Sequence, residues 1–204
     1  MNKKIRLIFD GNNLAFRVGS VMSLNNEDGE EVGVPFGCIK SIRYIIDKFK
    51  PDRTVVCWDG GRSKVRYSIH PEYKGKRTAK GKDYEANKAK RDNIINMIDP
   101  VVKLYSCLGI SQYRYKGVEG DDLIAHLVLN SSKFKTIIIS SDKDFLQLVG
   151  RYVDVYNPIT DKLITRSNFK EFKGLGFSPA QYLEYHIMLG DKSDNIFGIP
   201  GIGE

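Results

Sequence analysis

Histidine and cysteine are both scarce in this chain, with three of each among 204 residues. Cys38, Cys57 and Cys107 stand apart among apolar neighbours, without the paired spacing of a zinc site or a disulfide framework, and read as reduced core residues. The histidines are equally scattered, which argues against a histidine-based metal centre. No continuous apolar run is long enough to span a bilayer. The opening MNKKIRLIFD enters a strand pattern within a few positions and lacks the apolar core and cleavage site of a signal peptide. A cytoplasmic monomer with no membrane partner is therefore expected. Internal repeats are absent, and the Gly-x-Gly patterns lack the strand-to-helix setting of a dinucleotide or P-loop site.

The charge is concentrated in one stretch. Net charge is +7, and residues 62–92 hold 11 basic and 4 acidic side chains, so this stretch carries the entire surplus. Such a local field attracts a polyanion and speeds encounter with it. A solvated helix kept for solubility is the bland alternative. Residues 60–89 are polar, basic and nearly devoid of aliphatic side chains, and are expected to be partly mobile without a partner.

Elsewhere the pattern alternates strands and helices. Residues 4–9, 54–58 and 136–140 read as buried strands, 111–115 as a short strand and 153–156 as an outer one. Helical periodicity covers residues 36–49 and 122–129, with Asp121 or Asp122 placed to cap the latter. A helix over 93–108 is expected to kink or divide at Pro100, another starts at 145–148, and 180–189 forms a further one. Gly11-Asn12-Asn13 reads as a turn. This alternation predicts an α/β domain with a mostly parallel central sheet flanked by helices. Ligands of such sheets bind outside the carboxyl ends of the strands, where Asp10, Asp59 and Asp142 all fall.

Acids at the ends of core strands are costly unless something positive gathers them. Asp10, Asp59, Glu119-Gly120-Asp121-Asp122, Asp142-Lys143-Asp144 and Asp191-Lys192-Ser193-Asp194 form a series suited to hard divalent cations bound through oxygen. In an extended backbone Asp142 and Asp144 share a face, and in a helical turn so do Asp191 and Asp194. Two Mg²⁺ or Mn²⁺ ions about 3.5–4 Å apart can activate hydroxide and stabilise the departing oxygen of a phosphodiester. Taken singly, each Asp could equally be a helix cap or a surface residue. Lys74 and Arg77 would share a face if helical and could grip the scissile phosphate. Tyr73 could stack on a base or simply pack. Lys76, Lys80, Lys82, Lys88, Lys90 and Arg91 could follow the nucleic-acid backbone, and Arg62, Lys64 and Arg66 could extend that surface. At the end, GIPGIG looks like the hairpin of a helix-hairpin-helix element, whose backbone N–H groups near Gly201 and Gly203 can receive a DNA phosphate.

In order along the chain, FDGNN, WDG, EYKGKR, EGDD, SSDKD, GDKSDN and GIPGIG resemble the motifs of bacterial and bacteriophage 5′–3′ exonucleases, members of the flap-endonuclease superfamily with a PIN-like fold. The resemblance covers essentially the whole chain. It implies metal-dependent hydrolysis at free 5′ ends and 5′ flaps of DNA, and at the RNA part of RNA–DNA hybrids. It groups Asp10, Asp59, Glu119 and Asp121, with Asp122 nearby, at one metal position and Asp142, Asp144, Asp191 and Asp194 at a second. It makes Lys74 and Arg77 the pair that contacts the reacting phosphate, Tyr73 the neighbouring aromatic, and residues 62–92 a basic helical arch for single-stranded 5′ DNA. Residues 1–177 correspond to the nuclease domain and 178–204 to a partial helix-hairpin-helix region. The family's hairpin often helps bind K⁺, a role expected here only if that element is complete. Because it is incomplete in this sequence, either duplex affinity is weak or the element continues beyond it. The lack of a polymerase domain suggests a freestanding form, such as a phage protein acting in host-cell cytoplasm. The competing functions are a PIN-class endoribonuclease, generally shorter and without arch or hairpin, and a DNA-binding protein with a decayed metal site.

Overall fold

KIRLIFD forms the first strand, β1 (Lys4–Asp10), in which Leu7, Ile8 and Phe9 have no exposed surface. Burial of successive residues means that both faces of the strand are covered, as in a parallel sheet between two layers. The computed structural model describes residues 3–61, 63–74, 84–130, 133–172, 176–192 and 194–203. Arg62, Lys76, Arg77, Lys80, Lys82 and Ser193 lie outside these, as does the middle of the expected arch.

After β1 come α1 (Gly11–Val21), α2 (Gly33–Phe49), β2 (Arg53–Trp58), α3 (Lys64–Ile69) and the long α4 (Tyr84–Cys107). Then follow β3 (Ser111–Arg114), α5 (Gly120–Leu129), β4 (Phe134–Ile139), a 3₁₀ helix (Lys143–Leu148), β5 (Val153–Asn157) and β6 (Lys162–Ile164). A 3₁₀ turn (Pro179–Gln181) leads into α6 (Tyr182–Leu189) and a small hairpin of β7 (Gly190–Asp191) and β8 (Ile196–Phe197).

The main sheet has six strands in the order β3-β2-β1-β4-β5-β6. Pairing is parallel from β3 to β5, and only β6 runs antiparallel. The order reverses at β1, which has β2 on one side and β4 on the other. A crevice opens at the carboxyl ends at such a reversal. Asp10 ends β1, Asp59 directly follows β2, and Ser140 to Asp142 directly follow β4.

Alternate side chains pack on opposite faces. Leu7, Phe9, Val56, Trp58, Ile137 and Ile139 join residues of α1, α2 and α4. Ile8, Val55, Cys57 and Ile138 join Ile124 and Val128 of α5 and Phe145 and Leu146 of the 3₁₀ helix. Each fully buried side chain of this kind contributes about 1.5–3 kcal/mol relative to exposure. Cys38 and Cys57 are buried as expected, whereas Cys107 is exposed; all three are free thiols.

Several local expectations are corrected. Gly11-Asn12-Asn13 begins a helix rather than a turn, because Asp10 caps it by accepting the Asn13 N–H at 3.0 Å. Gly11 is required there, since a Cβ would come within 2.5 Å of the Trp58 ring. The helices α1 and α3 and the edge strand β6 went unanticipated. The segment around Asp191 and Asp194 is a β-hairpin rather than a helical turn. Of the two outcomes expected at Pro100, a kink or a division, the division does not occur, and α4 continues through it. Pro100 lies on the exposed side, where the carbonyl it leaves without an N–H partner can meet water, while Ile94, Ile98, Val101 and Tyr105 bury the opposite side on both flanks of it. Packing therefore overrides the local helix breaker. Pro100→Ala is expected to stabilise the fold by about 1–2 kcal/mol, the helix-propensity gain outweighing the added freedom of the unfolded chain; an unchanged or lower urea midpoint would contradict this.

Candidate active site

Two sets of carboxylates face the crevice. In the first, Asp10 accepts the Ser140 hydroxyl through Oδ2 at 3.0 Å while its Oδ1 caps α1. Asp59 donates its N–H to Asn12 Oδ1 at 2.9 Å and accepts the Gly120 N–H at 2.7 Å. Asp59 thus satisfies a free N–H at the start of α5, the capping role expected of Asp121 or Asp122. Those two lie inside the first turn, where the helix dipole favours negative charge. Glu119, in the capping position and only 6% exposed, makes no capping bond through its side chain.

Two cations hold this set. Lys74 Nζ donates to Glu119 Oε2 at 2.7 Å. Arg66 Nη2 donates to Asp122 at 2.7 Å, and its Nη1 lies 2.9 Å from Glu119 and 4.0 Å from Asp121. The Nη1–Glu119 approach has ion-pair distance but not hydrogen-bond alignment. Arg66 therefore turns inward onto the acids instead of extending an outer basic surface.

The second set hangs from the end of β4 and from the hairpin. Asp142 caps the 3₁₀ helix, accepting the Asp144 N–H at 2.9 Å, so the pair is organised by a cap rather than by an extended strand. His186 Nδ1 of α6 lies 3.7 Å from Asp144. Asp194 donates its N–H to Asp191 Oδ1 at 3.4 Å. Asp121, Asp144, Asp191 and Asp194 line one cleft of ≈ 670 Å³ together with Arg66 and Tyr73. Asp142 lines an adjoining cleft that shares Asp144 and Asp191.

Lys74 links the two sets. Its N–H donates to the Asp194 carbonyl at 3.0 Å while its ammonium reaches Glu119. Its φ of 57° is left-handed, so the helical face proposed for Lys74 and Arg77 does not exist at Lys74. Asn195 reinforces the junction, donating to the Glu72 carbonyl at 3.2 Å. The Tyr73 ring is 7% exposed and packs edge-on against Tyr67; it offers no open face for a base. On α4, Lys88 is exposed, Lys90 reaches the Ser20 carbonyl and Arg91 lies over Phe16. Gly201, at a φ of 85°, is exposed within a turn closed by the Ile202 N–H on the Ile199 carbonyl, and Gly203 is exposed just after it.

The crowding is visible in proton affinity. Burial pushes the Asp10 carboxyl up to about 7; bonds from Asn13 and Ser140 oppose this, and the charges of Asp59 and Asp142 add to it. Burial raises Asp144 to about 6, with further push from Asp142, Asp191 and Asp194 and a counteracting pull from His186. Burial also raises Asp121 against the pull of Arg66. Burial raises Glu119 as well, but Lys74 and Arg66 outweigh it and hold this carboxyl below its usual range. Asp142 thus influences both sets.

Oxygen donors that repel one another suit a hard divalent cation. As the side chains stand, no three histidine, cysteine or acidic groups among the described residues gather closely enough to hold an ion. The donor chemistry fits; the closing of the donors around an ion is a separate step. Sequence reasoning overlooked Ser140, Asn195 and the inward turn of Arg66. The only trace of Ser140 was a polar residue directly after the three isoleucines that end β4.

The family of the 5′–3′ exonuclease N-terminal resolvase-like domain matches residues 5–174. The 5′–3′ exonuclease of Aquifex aeolicus is 31% identical over 98% of this chain and 66% of its own length. That of Buchnera aphidicola from Schizaphis graminum is 28% identical over 98% and 67%. DNA polymerase I of Bacillus subtilis is 31% identical over 99% of this chain but 22% of its own length. The chain thus spans about two thirds of the length of the curated exonucleases it matches. Among solved structures, a bacteriophage T5 protein co-crystallised with metal ions superposes with a TM-score of 0.82 at 25% identity, covering 98% of this chain and 72% of the other. The T5 flap endonuclease in a complex with DNA and metal ions gives 0.77 at 23%, covering 98% and 71%, and supports the fold. No helix among the described residues is long and apolar enough to cross a membrane.

Asp10 and Asp144 generate a pH prediction. Their folded affinities for protons exceed those of the unfolded chain, so their contribution to stability is full below the ordinary carboxylate range and is lost as pH rises through about 6 to 7. Glu119, shifted the other way, acts only at more acidic pH. In chelator, the melting temperature is expected to fall between pH 5 and pH 8, and less so in Asp10→Asn. An equal pH slope in the variant would remove Asp10 from this account.

Proposed function

Because the chain belongs to the 5′–3′ exonuclease family, we propose that it is a divalent-metal-dependent, structure-selective nuclease that hydrolyses phosphodiesters at 5′ ends and 5′ flaps of DNA, and the RNA part of RNA–DNA hybrids. One observation supports this reading: Asp121, Asp144, Asp191 and Asp194 line one cleft, and Lys74 joins the two sets through its ammonium on Glu119 and its N–H on the Asp194 carbonyl.

Asp10, Asp59, Glu119, Asp121 and Asp122 form the donor group for one ion, and Asp142, Asp144, Asp191 and Asp194 that for a second. Two Mg²⁺ or Mn²⁺ ions bound there would supply an activated water and charge stabilisation at the leaving oxygen. The chain's own residues do the remaining work. Lys74 moves its ammonium from Glu119 to the scissile phosphate and offsets charge as bonds rearrange. Its backbone anchor on Asp194 keeps it beside the second set during that motion. Arg66 holds the acids of α5 in place until a cation shares their charge. Arg77 joins Lys74 at the reacting phosphate, and the lysines of the arch receive the single-stranded 5′ segment. Lys88 lies open to follow its backbone. The N–H groups near Gly201 and Gly203 meet a phosphate of the duplex. In this reading residues 1–177 form the nuclease unit and 178–204 a duplex-binding extension.

End-labelled 5′-flap, nicked and single-stranded substrates, with and without Mg²⁺, test the proposal, and product length separates exonuclease from flap cleavage. Asp142→Asn is expected to lower turnover at least about a hundredfold, beyond the usual cost of an outer-shell change, while the fold persists. Undiminished Mg²⁺-dependent cleavage by that variant would exclude the assigned role. Lys74→Ala should reduce turnover far more than DNA affinity; matched losses would make Lys74 an anchor only.

A further inference from the structure

We propose that Ser140 is a positioning residue that couples the two carboxylate sets, an inference that rests on the metal-dependent nuclease reading. Ser140 is 1% exposed and directly follows β4. Its hydroxyl proton goes to Asp10 Oδ2 at 3.0 Å, and its oxygen accepts the Asp142 N–H at 3.1 Å. A serine hydroxyl has one proton to give, so this one is committed to the first set while a lone pair serves the second. The Ser140 backbone is itself fixed, donating its N–H to the Tyr156 carbonyl at 3.2 Å.

The neighbouring residues close the link into a ring. Ser141 donates its N–H to Asn13 Oδ1 at 3.2 Å, and Asn13 Nδ2 donates to Ser141 Oγ at 2.9 Å. Asn13 is the residue whose N–H Asp10 caps. The ends of β1 and β4, adjacent strands at the sheet's reversal, are thus tied at two points through buried or half-buried polar groups. A turn of the Asp10 carboxylate toward a cation changes what Ser140 can donate and, through the same oxygen, where the Asp142 turn sits. Both sets are adjusted together. A serine that only satisfied Asp10 would not need to hold the Asp142 N–H.

Mn²⁺ binding to the full chain without DNA, followed by the electron paramagnetic resonance of the free ion, tests this independently of cleavage. Ser140→Ala is expected to weaken Mn²⁺ binding about tenfold, the scale for an outer-shell hydrogen bond, and Ser140→Thr, which keeps the hydroxyl, to restore most of it. Asp10→Asn and Asp142→Asn should be non-additive in the native background and additive with Ser140→Ala. Circular dichroism establishes folding, and Ser140→Cys, similar in size but a poor hydrogen-bond former, serves if the alanine variant does not fold. Native Mn²⁺ affinity in Ser140→Ala with only a lower melting temperature would reduce Ser140 to packing and overturn the inference. Unchanged non-additivity would overturn it too, assigning the coupling to the carboxylate charges themselves. A native chain that binds no Mn²⁺ and cleaves no DNA would instead overturn the nuclease reading, and this inference with it.

Discussion

Carboxylates gathered at the ends of buried strands lose water and repel one another, and the rest of this site is arranged around that cost. Three kinds of partner offset it. Backbone N–H groups at helix starts receive Asp10, Asp59 and Asp142. Ser140 supplies a hydroxyl to the most crowded of these. Lys74 and Arg66 bring positive charge to Glu119 and to the acids of α5. The offset is incomplete at Asp10 and Asp144, whose carboxyls stay well above their ordinary range. That residual affinity for positive charge is what a divalent cation would satisfy.

The sheet decides which residues share this burden. Parallel pairing puts the carboxyl ends of β1, β2 and β4 on one edge, and the reversal at β1 leaves a crevice there. Asp10 and Asp142 come from neighbouring strands although they are far apart in sequence. The hairpin bearing Asp191 and Asp194 reaches the same cleft from α6, and the segment through Lys74 and Asn195 fastens it there. Lys74, with its N–H on the Asp194 carbonyl and its ammonium on Glu119, gives the two halves a shared element.

The acidic clusters stood out because each opens after an apolar run or near a glycine, and period-two and period-3.6 patterns gave β1, β2, β4, α2 and α5. Their partners were not. Whether Asp59 or Asp121 meets the start of α5 depends on the packing of β2 against that helix, which no local spacing encodes. Arg66 read as one more cation of a basic surface; its inward turn follows from α3, a helix of six residues with too little periodicity to anticipate. That α4 runs through Pro100 undivided follows from the position of Pro100 on the exposed side of the helix, which is a tertiary fact. Tyr73 was open to two readings, and its burial against Tyr67 selects packing.

The most direct measurement of the central claim is anomalous diffraction from crystals of the chain soaked in Mn²⁺. Density is predicted in the cleft at the sheet's reversal, with one ion touching carboxylates from the Asp10–Glu119–Asp121 side and another touching those from the Asp144–Asp191–Asp194 side. Ions found only at unrelated surface acids, with Lys74 still paired to Glu119 and the cleft carboxylates apart, would contradict the account.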